Sequence, residues 1–204
     1  MTLVKICGIT RVEDALDAAA LGASAVGLVF WPASPRAIDP VSARAIVEAL
    51  PPLVTPVGVF VDQPEAEVDR IANEVRLGAV QLHGRETPEF CARVRRPVIK
   101  SFGVDASFDE TALEPYPAGV TVLLDAKDDD RRGGTGRRGD WTIAARVATK
   151  RRIVLAGGVN AQNVEEAIRM VQPFAIDVSS GVERAPGVKD RAKLQALFEA
   201  VKRC

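Results

Sequence analysis

The 204-residue chain contains one histidine and three cysteines, and both shortages narrow its chemistry. With His83 alone, a multi-histidine metal site is excluded, as is any scheme needing a second imidazole. Cys7, Cys91 and Cys204 are odd in number and show neither CxxC nor metal-ligand spacing. A reducing, cytoplasmic compartment fits this pattern best. Net charge is absent too: 27 basic residues balance 27 acidic ones, so no overall field recruits nucleic acid or a membrane surface. Arginines cluster at Arg131-Arg132, Arg137-Arg138 and Arg151-Arg152, but no aromatic residues interleave them as a nucleic-acid face requires. Long apolar runs are also missing. The uncharged stretch 18–35 is interrupted by Gly22, Ser24, Gly27, Pro32, Ser34 and Pro35, so it reads as a helix end plus a buried strand, not a membrane span. The N-terminus shows no basic region leading into an apolar core, and secretion is not expected.

What is present is alternation. Short, β-branched, nearly all-apolar runs at Leu3–Cys7, Ala25–Phe30, Thr55–Val61, Ala79–Leu82, Val98–Ser101, Thr121–Asp125, Arg152–Ala156 and Ala175–Val178 read as strands buried on both faces. Between them, amphipathic patterns predict helices over Val12–Leu21, Pro40–Leu50, Glu65–Val75, Pro88–Val94, Trp141–Thr149, Ala161–Val171 and Lys189–Lys202. The segment Phe108–Leu113 reads as a short or imperfect helix. Eight such units in one domain of this length predict an α/β fold, a single (β/α)8 TIM barrel near its minimum size. A doubly wound open sheet shows the same alternation but normally carries a glycine-rich fingerprint after its first strand; here Cys7-Gly8-Ile9-Thr10 stands in that place.

In a barrel the chemistry sits where strands end and βα loops begin. Loops seven and eight supply Gly157-Gly158 and Ser179-Ser180-Gly181, glycines that admit an anion close to the backbone and hydroxyls that donate to it. Their order matches the usual barrel phosphate site. Loop six, long and holding Gly133-Gly134-Thr135-Gly136, reads as a lid or as a plain surface excursion. Cys7 ends strand one; its thiol is either an inert core group or, where cations favour the thiolate, a reactive one. Asp125 ends strand six, where a carboxyl serves as a general acid or simply binds loop amides. Arg36, on the stiff Ser34-Pro35-Arg36 loop, is placed to hold a carboxylate bidentately or to lie in solvent. His83 lines the mouth or caps strand four. Lys5, two residues before Cys7 on the same strand face, is the first candidate cation for its thiolate.

Taken together, Lys5-Ile6-Cys7-Gly8-Ile9-Thr10, Gly27-Leu28-Val29-Phe30, Ser34-Pro35-Arg36, Val80-Gln81-Leu82-His83-Gly84, Leu123-Leu124-Asp125, Gly133-Gly134-Thr135-Gly136, Leu155-Ala156-Gly157-Gly158 and Asp177-Val178-Ser179-Ser180-Gly181-Val182-Glu183 resemble the phosphoribosylanthranilate isomerase family from Leu3 to about Asp190. The resemblance implies an Amadori rearrangement, an aldose–ketose isomerisation in tryptophan biosynthesis, with no cofactor and no metal. It implies Cys7 as general base and Asp125 as general acid. Arg36, with Lys5 and His83, would bind the substrate, and Gly157, Gly158, Ser179, Ser180 and Gly181 would hold its phosphate. The implied partner is a small phosphorylated molecule, with neither nucleic acid nor membrane; monomer and homodimer stay open. One departure stands out: the family usually continues its lid glycines into Phe-Asp-Trp, whereas this chain has Gly139-Asp140-Trp141, which removes an apolar anchor at the base of loop six. A ribulose-phosphate epimerase type of barrel needs histidine and aspartate metal ligands that one histidine cannot supply. A silent barrel that only binds a phosphorylated ligand is the alternative from another class.

Overall fold

The computed structural model describes residues 2–126 and 141–204. Eight parallel strands, β1 (Leu3–Cys7), β2 (Ala25–Val29), β3 (Thr55–Phe60), β4 (Ala79–Leu82), β5 (Val98–Val104), β6 (Thr121–Ala126), β7 (Ile153–Ala156) and β8 (Ala175–Val178), pair in sequence order. β8 returns to β1 and closes the barrel. The (β/α)8 expectation holds. Around the barrel run α1 (Val12–Leu21), α2 (Pro40–Ala49), α3 (Glu65–Val75), α4 (Pro88–Arg93), α5 (Trp141–Ala148), α6 (Val164–Val171) and α7 (Arg191–Lys202). No helix among the described residues is long and apolar enough to cross a membrane.

Strand periodicity divides the structure into two interiors. Side chains alternate across a strand, so Val4 and Ile6 of β1 join the large apolar layer between barrel and helices. Lys5 and Cys7 take the opposite face, where Lys5 pairs with Asp177, its register partner on the adjacent strand β8, and Cys7 packs with Val29 and Val59. A further small cluster of Leu123, Val154, Ala156 and Ala175, with Ile99 against it, fills the lumen toward β5–β8. The helix layer supplies the apolar burial; the lumen can therefore hold polar groups at its open end.

Local signals fix the helix ends. Asp39 accepts from the amides of Val41 and Ser42 ahead of Pro40, and Thr87 accepts from Phe90 ahead of Pro88. Most boundaries match the sequence reading to within one residue, β5 runs three residues further to Val104, and three segments differ in kind or start. The 108–113 segment is a 3₁₀ turn, Glu110–Leu113. α6 starts at Val164, not Ala161, because the Asn163 carboxamide accepts from the Asn160 amide and holds a turn there. Lys189 is not helical: it lies in a small antiparallel hairpin, β9 (Glu183–Ala185) with β10 (Val188–Lys189), turned by Gly187 at φ 78°. Asp190 caps the helix that follows by accepting from the Lys193 amide, so α7 begins at Arg191.

Candidate active site

A cavity of about 430 Å³ opens at the C-terminal ends of the strands. Cys7, Arg36, His83, Asp125, Gly157, Gly158, Ser179, Ser180 and Gly181 all line it, together with Trp31, Gln81 and Asp177. Residues scattered over 175 positions of sequence thus meet around one space. Lys5 is not among the lining residues. The lid glycines Gly133, Gly134 and Gly136, with Thr135, lie outside the described residues, as does Gly139.

Cys7 sits on a charged floor. The Lys5 ammonium lies 2.8 Å from Asp177 Oδ1, with both side chains nearly inaccessible, and it also faces the Cys7 sulfur. Burial pushes the Cys7 thiol above its ordinary value and Asp177 pushes the same way; Lys5 and Lys189 act against them without prevailing. For Lys5, burial alone favours the neutral amine, but Asp177 and Cys7 together hold its pKa above the ordinary lysine range. Lys5 does favour the thiolate, as the sequence suggests, yet burial and Asp177 outweigh it and the net shift of the thiol is upward. Gly27 makes this packing possible: a Cβ there would lie 2.7 Å from the Cys7 sulfur and 3.2 Å from the Lys5 nitrogen.

Arg36 is anchored before any ligand arrives. Its Nε donates to Glu183 Oε1 at 2.9 Å and its Nη2 to Oε2 at 2.7 Å. The side edge of the guanidinium, which the sequence reading offers to a substrate carboxylate, is occupied; its outer N–H groups are the ones left for one. Glu183 also accepts from Lys189 at 2.8 Å. Lys189 in turn donates to the backbone carbonyls of Cys7 and Ser179, so one buried ammonium ties the end of β1 to the loop after β8. Burial opposes charge on Glu183, but its bonds to Arg36 and Lys189 hold the carboxyl below the usual carboxylate range. Desolvation, in contrast, leaves Lys189 below the usual lysine range.

At the phosphate-type loops, Gly157 and Gly158 take φ of 83° and 68°, a left-handed path that favours glycine and brings bare backbone to the mouth. Asn160 and Asn163 pin this loop by donating to the Gly158 carbonyl at 3.1 and 2.9 Å. The loop after β8 contains a three-residue 3₁₀ turn, Ser180–Val182, and the Ser179 hydroxyl is buried without a partner among the described residues. Opposite, the Asp125 side chain is 34% exposed, less desolvated than an apolar strand end suggests, and its Oδ2 lies 3.6 Å from His83 Nε2.

Glu183, Lys189, Asp177 and Gln81 complete the site, and none stood among the candidate site residues. Asp177 and Gln81 did carry a signal, as polar interruptions of the apolar runs Ala175–Val178 and Ala79–Leu82.

Fold and site define a class first: this is a (β/α)8 barrel that gathers its polar groups at the C-terminal strand ends, where enzymes of this fold hold their active sites. Comparison with known proteins narrows it. Residues 4–200 match the model of the N-(5'-phosphoribosyl)anthranilate isomerase family. The N-(5'-phosphoribosyl)anthranilate isomerase of Pelobacter propionicus is 49% identical over 204 residues, covering 99% of this chain and 96% of its own. Among solved structures, phosphoribosyl anthranilate isomerase from Thermotoga maritima superposes with a TM-score of 0.93 at 44% identity, covering both chains fully. The Thermus thermophilus protein gives 0.91 at 48%, over 99% of each chain. A further isomerase structure, TM-score 0.89 at 43% identity over the whole of both chains, is a complex with reduced 1-(o-carboxyphenylamino)-1-deoxyribulose 5-phosphate. This chain belongs to the phosphoribosylanthranilate isomerase family.

Proposed function

We propose that this protein isomerises N-(5-phosphoribosyl)anthranilate to 1-(2-carboxyphenylamino)-1-deoxyribulose 5-phosphate in a cytoplasmic tryptophan pathway, by general acid–base catalysis. The observation that carries the chemistry is the convergence of Cys7, Asp125 and both phosphate-type loops on one cavity. Asp125 protonates the furanose oxygen, and the anilino nitrogen expels it to give an iminium. That positive nitrogen acidifies C2–H, which the Cys7 thiolate removes. The enolamine then gains a proton at C1 while its C2 hydroxyl becomes the ketone, so atoms and charge balance without a redox partner.

The raised thiol affinity for protons bears on this step. A base of higher pKa is scarcer at neutral pH but stronger when formed. Lys5, paired with Asp177, is the cation nearest the sulfur and supports the thiolate that forms. Arg36, fixed by Glu183, offers its outer N–H groups to the anthranilate carboxylate, and the loops bearing Gly157, Gly158, Ser179, Ser180 and Gly181 take the phosphate.

Turnover of phosphoribosylanthranilate generated in situ tests the reading. The native chain should consume it, and Cys7→Ser and Asp125→Asn should each lower kcat by about a hundredfold to ten-thousandfold. Unchanged activity in either variant removes that residue from its role. A folded but inactive native chain points instead to a barrel that only binds its phosphorylated ligand.

A further inference from the structure

One buried polar group at the mouth has no place in that mechanism. Gln81 of β4 is 1% exposed and points into the lumen. Its carboxamide nitrogen has two hydrogens and two acceptors in reach: His83 Nδ1 at 3.1 Å and the Ser101 hydroxyl of β5 at 3.3 Å. Its oxygen is buried without a partner among the described residues. An amide in a barrel interior with an unsatisfied oxygen is costly, and such a group calls for a reason beyond packing.

The geometry around His83 supplies one. Gln81 and His83 are two residues apart, so they share the lumen face. If Gln81 donates to Nδ1, that nitrogen is an acceptor and the ring's single neutral-state proton lies on Nε2. Nε2 is the atom turned toward Asp125 Oδ2, 3.6 Å away, longer than a hydrogen bond and short enough for a small side-chain shift to make one. We propose that Gln81 is a positioning residue: anchored by Ser101, it sets the tautomer of His83 so that Nε2–H holds one oxygen of Asp125 and leaves the other free to deliver its proton. The proposal rests on Asp125 being the acid. It adds a relay of Ser101, Gln81 and His83 running from β5 through β4 to the acid on β6.

The chain itself provides the measurement. His83 is its only histidine, so a long-range proton–nitrogen NMR spectrum of the ¹⁵N-labelled protein contains one imidazole pattern, readable without assignment. The native protein, above the imidazole titration, should show the Nε2–H form; an Nδ1–H form overturns the proposal. Gln81→Met removes the donor at similar volume. It should lose the single-tautomer signature and lower kcat about tenfold, with KM within about twofold, as loss of alignment and not of binding does. A tautomer pattern unchanged by the substitution, or one changed with kcat intact, also overturns it. Should Gln81→Met not fold, Ser101→Ala frees one of the two amide anchors and should shift the tautomer in the same sense; an unshifted pattern there counts against the relay. Absence of turnover in the native chain strikes the isomerase reading, while the spectrum still decides the Gln81–His83 contact independently.

Discussion

Lys5 and Asp177 form a buried ion pair, 2.8 Å between charged atoms, directly beneath the thiol of Cys7. Each partner pulls the thiol in the opposite direction, so the pair sets how readily it ionises. With the exposed Cys204 replaced by serine and Cys91, buried as Cys7 is, replaced by alanine, alkylation by iodoacetamide reports on Cys7. Its pH midpoint should lie above that of an ordinary thiol. Asp177→Asn should move the midpoint down and Lys5→Met should move it up. Equal midpoints in all three proteins would show that burial alone governs the sulfur.

Removing Glu183 should damage stability as well as binding. Glu183→Gln leaves Lys189, wholly inaccessible at its side chain, without its carboxylate. Breaking a buried pair on one side costs about 3–5 kcal/mol. Urea denaturation should show a loss of that order.

The same carboxylate sets an acid limit. Its folded pKa lies below the unfolded value of 4.5. Its stabilising contribution is therefore present in full above the unfolded value and disappears as pH falls through the folded one. Melting temperatures of the native protein should decline over that acid window. Glu183→Gln, already less stable at neutral pH, should lose less across it; parallel curves would exclude Glu183 as the source.

Gly27→Ala should act on Cys7 from the neighbouring strand. The added Cβ would lie 3.1 Å from the Cys7 backbone as well as 2.7 Å from its sulfur. Overpacking of this kind costs about 1–3 kcal/mol. Because the displaced group is the proposed base, kcat should fall more steeply than melting temperature predicts, which steady-state kinetics beside a thermal melt will show.

Arg36→Lys separates charge from shape. An ammonium cannot grip both Glu183 oxygens and present further N–H groups outward at once. KM for phosphoribosylanthranilate should rise at least about tenfold, with a smaller change in kcat. An unaltered KM would take Arg36 out of carboxylate recognition.

The barrel was legible because strand and helix periods alternate eight times, and seven of the eight strands begin where the apolar runs do. The mouth residues followed from position alone: Cys7, Asp125 and His83 sit at or just after strand ends, where loops open. The charged floor was harder to read. Lys189 looks like the first turn of a helix until Asp190 is seen capping the next residue onward. Its partner Glu183 is six residues away, and Arg36 approaches from 147 residues away. No local pattern encodes that meeting. Gln81 and Asp177 were visible as polar breaks in apolar strands, but only barrel closure shows what they face.

The alternation within β1 carries one more consequence. Four consecutive residues serve two masters: Val4 and Ile6 seal the helix layer, while Lys5 and Cys7 furnish the lumen. Deleting or inserting one residue ahead of Cys7 would exchange the two sets, sending an ammonium into the grease and a methyl-bearing chain into the reaction space. This strand can therefore evolve by substitution but not by change of length, and length variation among descendants of this chain should collect in its loops.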